Sequence, residues 1–170
     1  MDDWVTRFHA VVDELAAKTA EANGNRITCR EGCSGCCTDG LTVFEVEADL
    51  IVARHQDLLE NGEPHGEGAC AFLDERGACR IYDSRPYVCR TQGLPLRWIE
   101  ETEEGPAEAR DICPLNDETG PPLEELPADR FWTIGPFEER LAGRGDGTRV
   151  ALRELFAKTA DSKKHLPVVR

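Results

Sequence analysis

The sequence predicts a small α+β fold, mainly α-helical, forming a single domain over residues 1–170. Three observations carry that expectation. Apolar residues recur at helical spacing through the first twenty-two positions. Two short apolar runs flank a turn signal near residue 75. Eight cysteines are present, four of them within nine consecutive residues. At 170 residues the chain has the length of one ordinary domain. With 31% charged and 40% hydrophobic residues the core is thin, so a cysteine-built centre is expected to help hold it.

Taken in order, Trp4, Phe8, Val11, Val12, Leu15 and Thr19 predict an amphipathic helix over 2–22, stopped by Asn23-Gly24-Asn25. Cys29–Gly40, with three glycines and four cysteines, reads as a loop. A second helix is expected from about Glu45 to Glu60, turning Val46, Leu50, Ala53 and Leu58 inward and ending at Asn61-Gly62. Glu63–Gly68 is a polar linker. Ala71-Phe72-Leu73 and Ala78–Tyr82 around Asp74-Glu75-Arg76-Gly77 predict a short β-hairpin.

Ser84-Arg85-Pro86 reads as an N-cap followed by a proline early in a short helix carrying Cys89. Leu94–Ile99 is a candidate strand, and Glu100–Asp111 is acidic and expected to be exposed. Pro114, Pro121, Pro122 and Pro127 argue for irregular chain after Cys113. A C-terminal helical segment is expected over 146–160, with Val150, Leu152, Leu155 and Phe156 facing inward. No internal repeat and no strong domain boundary is visible.

Composition narrows the function classes. The start of the chain lacks the basic and apolar stretches of a signal peptide. No apolar run of about 18 residues exists to span a membrane. A cytoplasmic, reducing setting is therefore expected, where thiols bind metal or do redox work rather than pair. A net charge of −13 speaks against a nucleic-acid partner, because phosphate binding needs a basic surface. No Ser/His/Asp arrangement, phosphate loop or zinc-hydrolase motif appears, so ordinary hydrolysis is unsupported and no catalytic residue is assigned. No protein partner is assigned either. His9, His55, His65 and His165 read as surface residues, and Trp4, Trp98 and Trp132 as core.

The cysteines carry the chemistry. Cys29, Cys33, Cys36 and Cys37 lie in one loop, and Cys70, Cys79, Cys89 and Cys113 follow. Short spacings let a single loop deliver several thiolates, and Gly32 and Gly35 supply the backbone freedom that wrapping a metal demands. Side chains of neighbouring residues diverge, so Cys36-Cys37 hints at two ions or two corners of a cluster. A two-residue turn at Glu75-Arg76 would set Cys79 opposite Phe72 with Cys70 diagonal to it, whereas a three-residue turn would put Cys70 and Cys79 on opposite faces. Arg30, Arg80 and Arg90 each follow a cysteine and Arg85 lies close by. They read either as cations offsetting surplus thiolate charge or as surface residues. Cys29-x3-Cys33-x2-Cys36 also has the spacing of the three cluster ligands of radical S-adenosylmethionine enzymes, although the βα alternation of those enzymes is missing.

The run Cys33-x2-Cys36-Cys37, then Cys70-x-Phe72-Leu73, Gly77-x-Cys79-x-Ile81-Tyr82 and Arg85-Pro86-x2-Cys89-Arg90, resembles the YkgJ-type CxxCxxCC cysteine-cluster family of zinc- or iron-chelating domains. All eight cysteines can be laid on the family pattern. One departure is the three residues between Cys29 and Cys33, where the family has two. The resemblance covers about residues 28–115. It implies a fold wrapped around a cysteine-ligated metal centre, an iron–sulfur cluster or zinc, with all eight cysteines as candidate ligands. A flagellin lysine N-methylase is similar in cysteine pattern, which implies an iron–sulfur-dependent modification enzyme or oxidoreductase as one alternative. A zinc-stabilised structural or metal-handling protein is the other. The arrangement of the ligands leans toward the cluster, because Cys29, Cys33, Cys36 and one later cysteine would suit a cubane.

Overall fold

A computed structural model describes residues 3–30, 32–117 and 120–156. Its architecture is α+β, with more helix than strand and two small sheets. The described residues divide into two compact units. Unit 1 lies within Glu31–Arg85 and Gly145–Arg170, and unit 2 within Asp2–Arg30 and Pro86–Arg144. No described helix is long and apolar enough to cross a membrane.

Unit 1 is built on a two-stranded antiparallel ladder, β1 (Thr42–Phe44) against β5 (Arg149–Ala151), with buried Val43 opposite buried Val150. The C-terminal segment therefore departs from the helix expected over 146–160 at Arg149–Ala151, which is strand, whereas residues 154–156 are helical. Val150 pairs as a strand residue because its neighbours alternate outward on a ladder, and the part of that segment beyond Phe156 lies outside the described residues. The expected helix over 45–60 is two helices, α2 (Glu45–Arg54) and α3 (Gln56–Asn61). His55, at φ −126° and ψ 31°, leaves the helical region between them, and its N–H closes α2 on the Ile51 carbonyl. The buried stripe runs through Glu47, Ala48 and Ile51 together with Leu50, while Ala53 is exposed and Val46 and Leu58 are half-buried. Phe44, Glu47, Ala48 and Ile51 follow i, i+3, i+4, i+7 from the strand end, so the ladder sets the helix phase. Phe72, Leu73, Ile81, Leu152, Leu155 and Phe156 complete the core, with the Phe72 and Phe156 rings 5.0 Å apart.

Unit 2 opens with α1 (Asp3–Asn23), one residue away from expectation at each end. It buries Val5, Phe8, Val12 and Ala16, whereas Val11 and Leu15 stay exposed. The sheet has the order β3-β2-β4. Strands β2 (Leu96–Thr102) and β3 (Gly105–Asp111) form an unbroken antiparallel hairpin, and β4 (Trp132–Thr133) runs parallel to Leu96-Arg97. The acidic stretch Glu100–Asp111, expected to be exposed, is largely so, and it forms the end of β2, the turn and β3 of this hairpin. Glu103-Glu104 make the turn, and Gly105 closes it at φ +112°, a conformation glycine reaches without a Cβ clash. Arg110 anchors β3 by donating to the Leu123 and Leu126 carbonyls while its guanidinium lies 4.6 Å from the Phe131 ring centroid.

The helix carrying Cys89, α4 (Tyr87–Arg90), starts after Pro86, so Pro86 is its N-cap residue and Ser84 ends a separate 3₁₀ turn. After it come a one-turn helix, α5 (Pro114–Asp117), and α6 (Gly135–Ala142), which follows Ile134 with proline in its first turn. Phe8, Tyr87, Trp132 and Phe137 form an aromatic cluster, in which buried Trp132 donates its Nε1–H to the Tyr87 hydroxyl at 2.8 Å.

Candidate metal centre

Five of the eight cysteines, Cys33, Cys36, Cys37, Cys70 and Cys79, belong to unit 1, and Cys29, Cys89 and Cys113 belong to unit 2. Each is a thiol rather than half of a disulfide, and all are half-buried except Cys70, which is buried.

In unit 1 the first loop turns on itself where the Cys37 N–H meets the Ser34 carbonyl at 2.9 Å. The Cys36 and Cys37 side chains, expected to diverge, are hydrogen-bonded to each other. The Cys37 side chain stabilises the Cys36 thiolate and lowers its pKa to about 6, helped by its own backbone N–H and by Arg85, against the opposing effect of burial. The loop is stitched to Cys70 by the bond from the Cys70 N–H to the Cys37 carbonyl, 2.8 Å, and by an antiparallel bridge between Thr38 and Ala69. Arg153 locks the same region, donating to the Asp39 carboxylate and to the carbonyls of His65, Gly66 and Ala69.

The short hairpin around residue 75 is present with a three-residue turn. Asp74 N–H bonds the Ala78 carbonyl at 2.8 Å, and the Asp74 carboxylate accepts from the Arg76 and Ala78 N–H groups. Cys79 therefore bridges to Leu73, not Phe72. By strict alternation Cys70 would then point away, but the chain turns between them as the Leu73 N–H reaches back to the Cys70 carbonyl. Burial raises the Cys79 pKa, and negative charge on Cys70 raises it further. Cys70 is likewise raised by burial. Arg85 and Arg80 act on Cys79 in the opposite sense, so these two arginines do sit where thiolate charge would accumulate. Arg30 is exposed, and Arg90 pairs with Asp13 at 2.5 Å.

In unit 2, Cys29 lies against Gly93 and 3.4 Å from Asn116 Nδ2, while the Cys113 carbonyl accepts the Asn116 N–H at 2.8 Å. Cys89 rides on α4. Sequence reasoning missed Asn116 and Arg153. Both act through contacts about 90 or more residues away along the chain, as in Asn116 to Cys29 and Arg153 to Asp39, and no local pattern announces them. His9 is buried on α1 rather than on the surface, His55 and His65 are half-buried, and His165 lies outside the described residues.

A profile of the CxxCxxCC family, described as "Putative zinc- or iron-chelating domain", matches residues 28–114 and so takes in every cysteine of the chain. The chain belongs to the CxxCxxCC family. No curated protein and no solved structure matches it. The family's zinc or iron is matched by the donor chemistry here: soft sulfur, no histidine among the paired side chains, and arginines beside the thiols. Among the described residues no group of three or more His, Cys, Asp or Glu side chains is arranged to hold an ion. Within unit 1 the Cys36 thiol is hydrogen-bonded by the Cys37 side chain, and Cys79 feels the charge of Cys70.

Proposed function

We propose that this CxxCxxCC domain holds an iron–sulfur cluster through cysteine thiolates, its candidate donors being Cys29, Cys33, Cys36, Cys37, Cys70, Cys79, Cys89 and Cys113. The observation that supports it is the stitching of unit 1. Three separate segments deliver five thiols, and a backbone bond joins the segment of Cys37 to that of Cys70. Five exceeds the four sulfurs that a tetrahedral ion or a cubane takes from a protein. Cys29-x3-Cys33-x2-Cys36 is a spacing suited to three corners of a cubane.

The chain's own residues would do the following. Cys36 is poised to be a thiolate at neutral pH, and Arg85 and Arg80 offset the charge that accumulates as further thiols ionise. Arg153 keeps the Asp39 and Ala69 segments together, so that Cys37 and Cys70 arrive as neighbours. A bound cluster would supply one-electron redox capacity and cross-link the three segments. Thiols of this kind belong in a reducing compartment.

The test is purification of the full chain under oxygen exclusion from iron-supplemented cells, with iron, zinc and acid-labile sulfide measured per chain. Brown protein holding iron and sulfide in near-equal amounts is expected. Colourless protein with stoichiometric zinc would replace the cluster by zinc, the other metal of the family. Protein with neither metal and eight titratable thiols would end the reading.

A further inference from the structure

Asn116 is completely buried, with 0% of its surface exposed, on the one-turn helix α5. A buried primary amide costs free energy unless its hydrogen-bonding groups are satisfied. Its Oδ1 accepts two donors from Thr28, the backbone N–H at 2.9 Å and the hydroxyl at 2.6 Å. Those donors fix the amide the only way round that satisfies it, and Nδ2 must then face the other side. There it donates to the Gly93 carbonyl at 2.7 Å and points at the Cys29 Sγ at 3.4 Å. The backbone of Asn116 is used as well. Its N–H donates to the Cys113 carbonyl at 2.8 Å and its carbonyl accepts from Arg26 Nε at 3.1 Å.

Opposite the amide, Cys29 is backed by Gly93 at φ +91°, where an added Cβ would collide with the sulfur and lie 2.9 Å from the Cys29 Cβ. A neutral thiol is a weak acceptor, and a sulfur carrying thiolate charge is a strong one. A fully buried amide therefore spends a donor on sulfur with most gain when that sulfur is charged and ligating. We propose that Asn116 is the positioning residue of Cys29, holding its sulfur by an N–H···S bond against Gly93 so that it serves as a ligand of the metal centre. This rests on the metal-binding reading above. Partners of this kind behind a ligand set its orientation, and their loss weakens metal binding by roughly 10–100-fold.

The experiment uses the full chain, prepared without oxygen, as wild type, Asn116→Asp and Thr28→Val. Asn116→Asp keeps the acceptor for Thr28 and replaces the donor with a carboxylate oxygen that repels both the Gly93 carbonyl and the sulfur. Thr28→Val keeps the side-chain shape and removes one of the two donors clamping Oδ1. Each protein is held in EDTA, its metal is followed with time, and iodoacetamide labelling is read cysteine by cysteine by mass spectrometry. In Asn116→Asp, metal should pass to EDTA roughly 10–100-fold faster than in wild type, and Cys29 should label ahead of the other seven cysteines. Thr28→Val should shift Cys29 in the same direction by less, and it decides the matter if Asn116→Asp does not fold. Metal loss at the wild-type rate, or Cys29 labelling no earlier than the other cysteines, would overturn the proposal. Wild-type protein without metal overturns instead the reading beneath it, and that shows before any variant is compared.

Discussion

In unit 1 the cysteines sit on loops joined by a handful of backbone bonds, whereas in unit 2 they lie beside regular elements and a fully buried amide. The Cys33–Cys37 loop is tied by the bonds at Cys70 and Thr38 and by the reach of Arg153. Cys29, by contrast, has Gly93 behind it and Asn116 beside it, and Cys89 is carried by α4 next to buried Tyr87. The difference teaches which thiols depend on metal for their order. Loops with few internal bonds order at an entropic cost that ligation offsets, while thiols on a packed scaffold are placed before any ion arrives.

The largest effect should come from breaking unit 1 at its thiolate. Cys36→Ser is expected to lose most of the metal and, because structural metal binding can reach roughly 10–16 kcal/mol, to leave unit 1 poorly folded. Cys89→Ser should keep more of both. Metal per chain and thermal melting of the two variants side by side measure the contrast, and equal losses would erase the distinction between the units.

Next in size is the aromatic cluster of unit 2. Tyr87→Phe leaves the buried Trp132 Nε1–H without its acceptor, at a cost of about 1–3 kcal/mol. Denaturant melts of the metal-free protein should show it. A Tyr87→Phe variant as stable as wild type would mean that unit 2 does not rest on this scaffold.

Arg153→Met tests the stitching of unit 1 from the other direction. It strips the Asp39 carboxylate and three carbonyls of a partner near Cys37 and Cys70, a modest loss for a partly exposed set of bonds. Metal loss into a chelator should quicken even though no ligand is changed. An unchanged rate would show that the loops are held by the metal alone.

The smallest expected effect lies in the Asp74 turn. Hydrogen bonds from the Ala78 and then the Arg76 N–H groups hold its carboxyl pKa below the usual value. A folded-state pKa that is depressed stabilises above the unfolded carboxylate pKa, near 4, and that contribution is lost as pH falls through the folded value. Asp74→Asn should therefore lower the melting temperature slightly at neutral pH, with the gap to wild type closing below about pH 4. A gap independent of pH would remove the charge from the account of this turn.

The pattern of what was legible follows the same division. The cysteines and their clustering stood in the sequence because ligand spacing in one loop is a local signal. Helix α1 was legible because twenty-one residues of periodicity outweigh any one of them, although its buried stripe is Val5, Phe8, Val12 and Ala16 rather than one including Val11 and Leu15. Long-range pairing was not legible. Arg149–Ala151 carry apolar and charged residues that fit a helix equally well, and only pairing with Thr42–Phe44 makes them a strand. The β2–β3 hairpin hid behind six acidic side chains between Glu100 and Asp111, which read only as an exposed stretch because both faces of β3 are largely wet. Asn116 sat in a proline-spaced stretch with no periodicity, and its role exists only in its contacts.

The central claim is that cysteine sulfur, and nothing else in the chain, holds the metal. X-ray absorption at the edge of whichever metal the oxygen-protected protein carries tests this most directly. A shell of sulfur neighbours at about 2.3 Å with no nitrogen or oxygen shell is the predicted result. A first shell containing histidine nitrogen or carboxylate oxygen near 2.0–2.2 Å would contradict it.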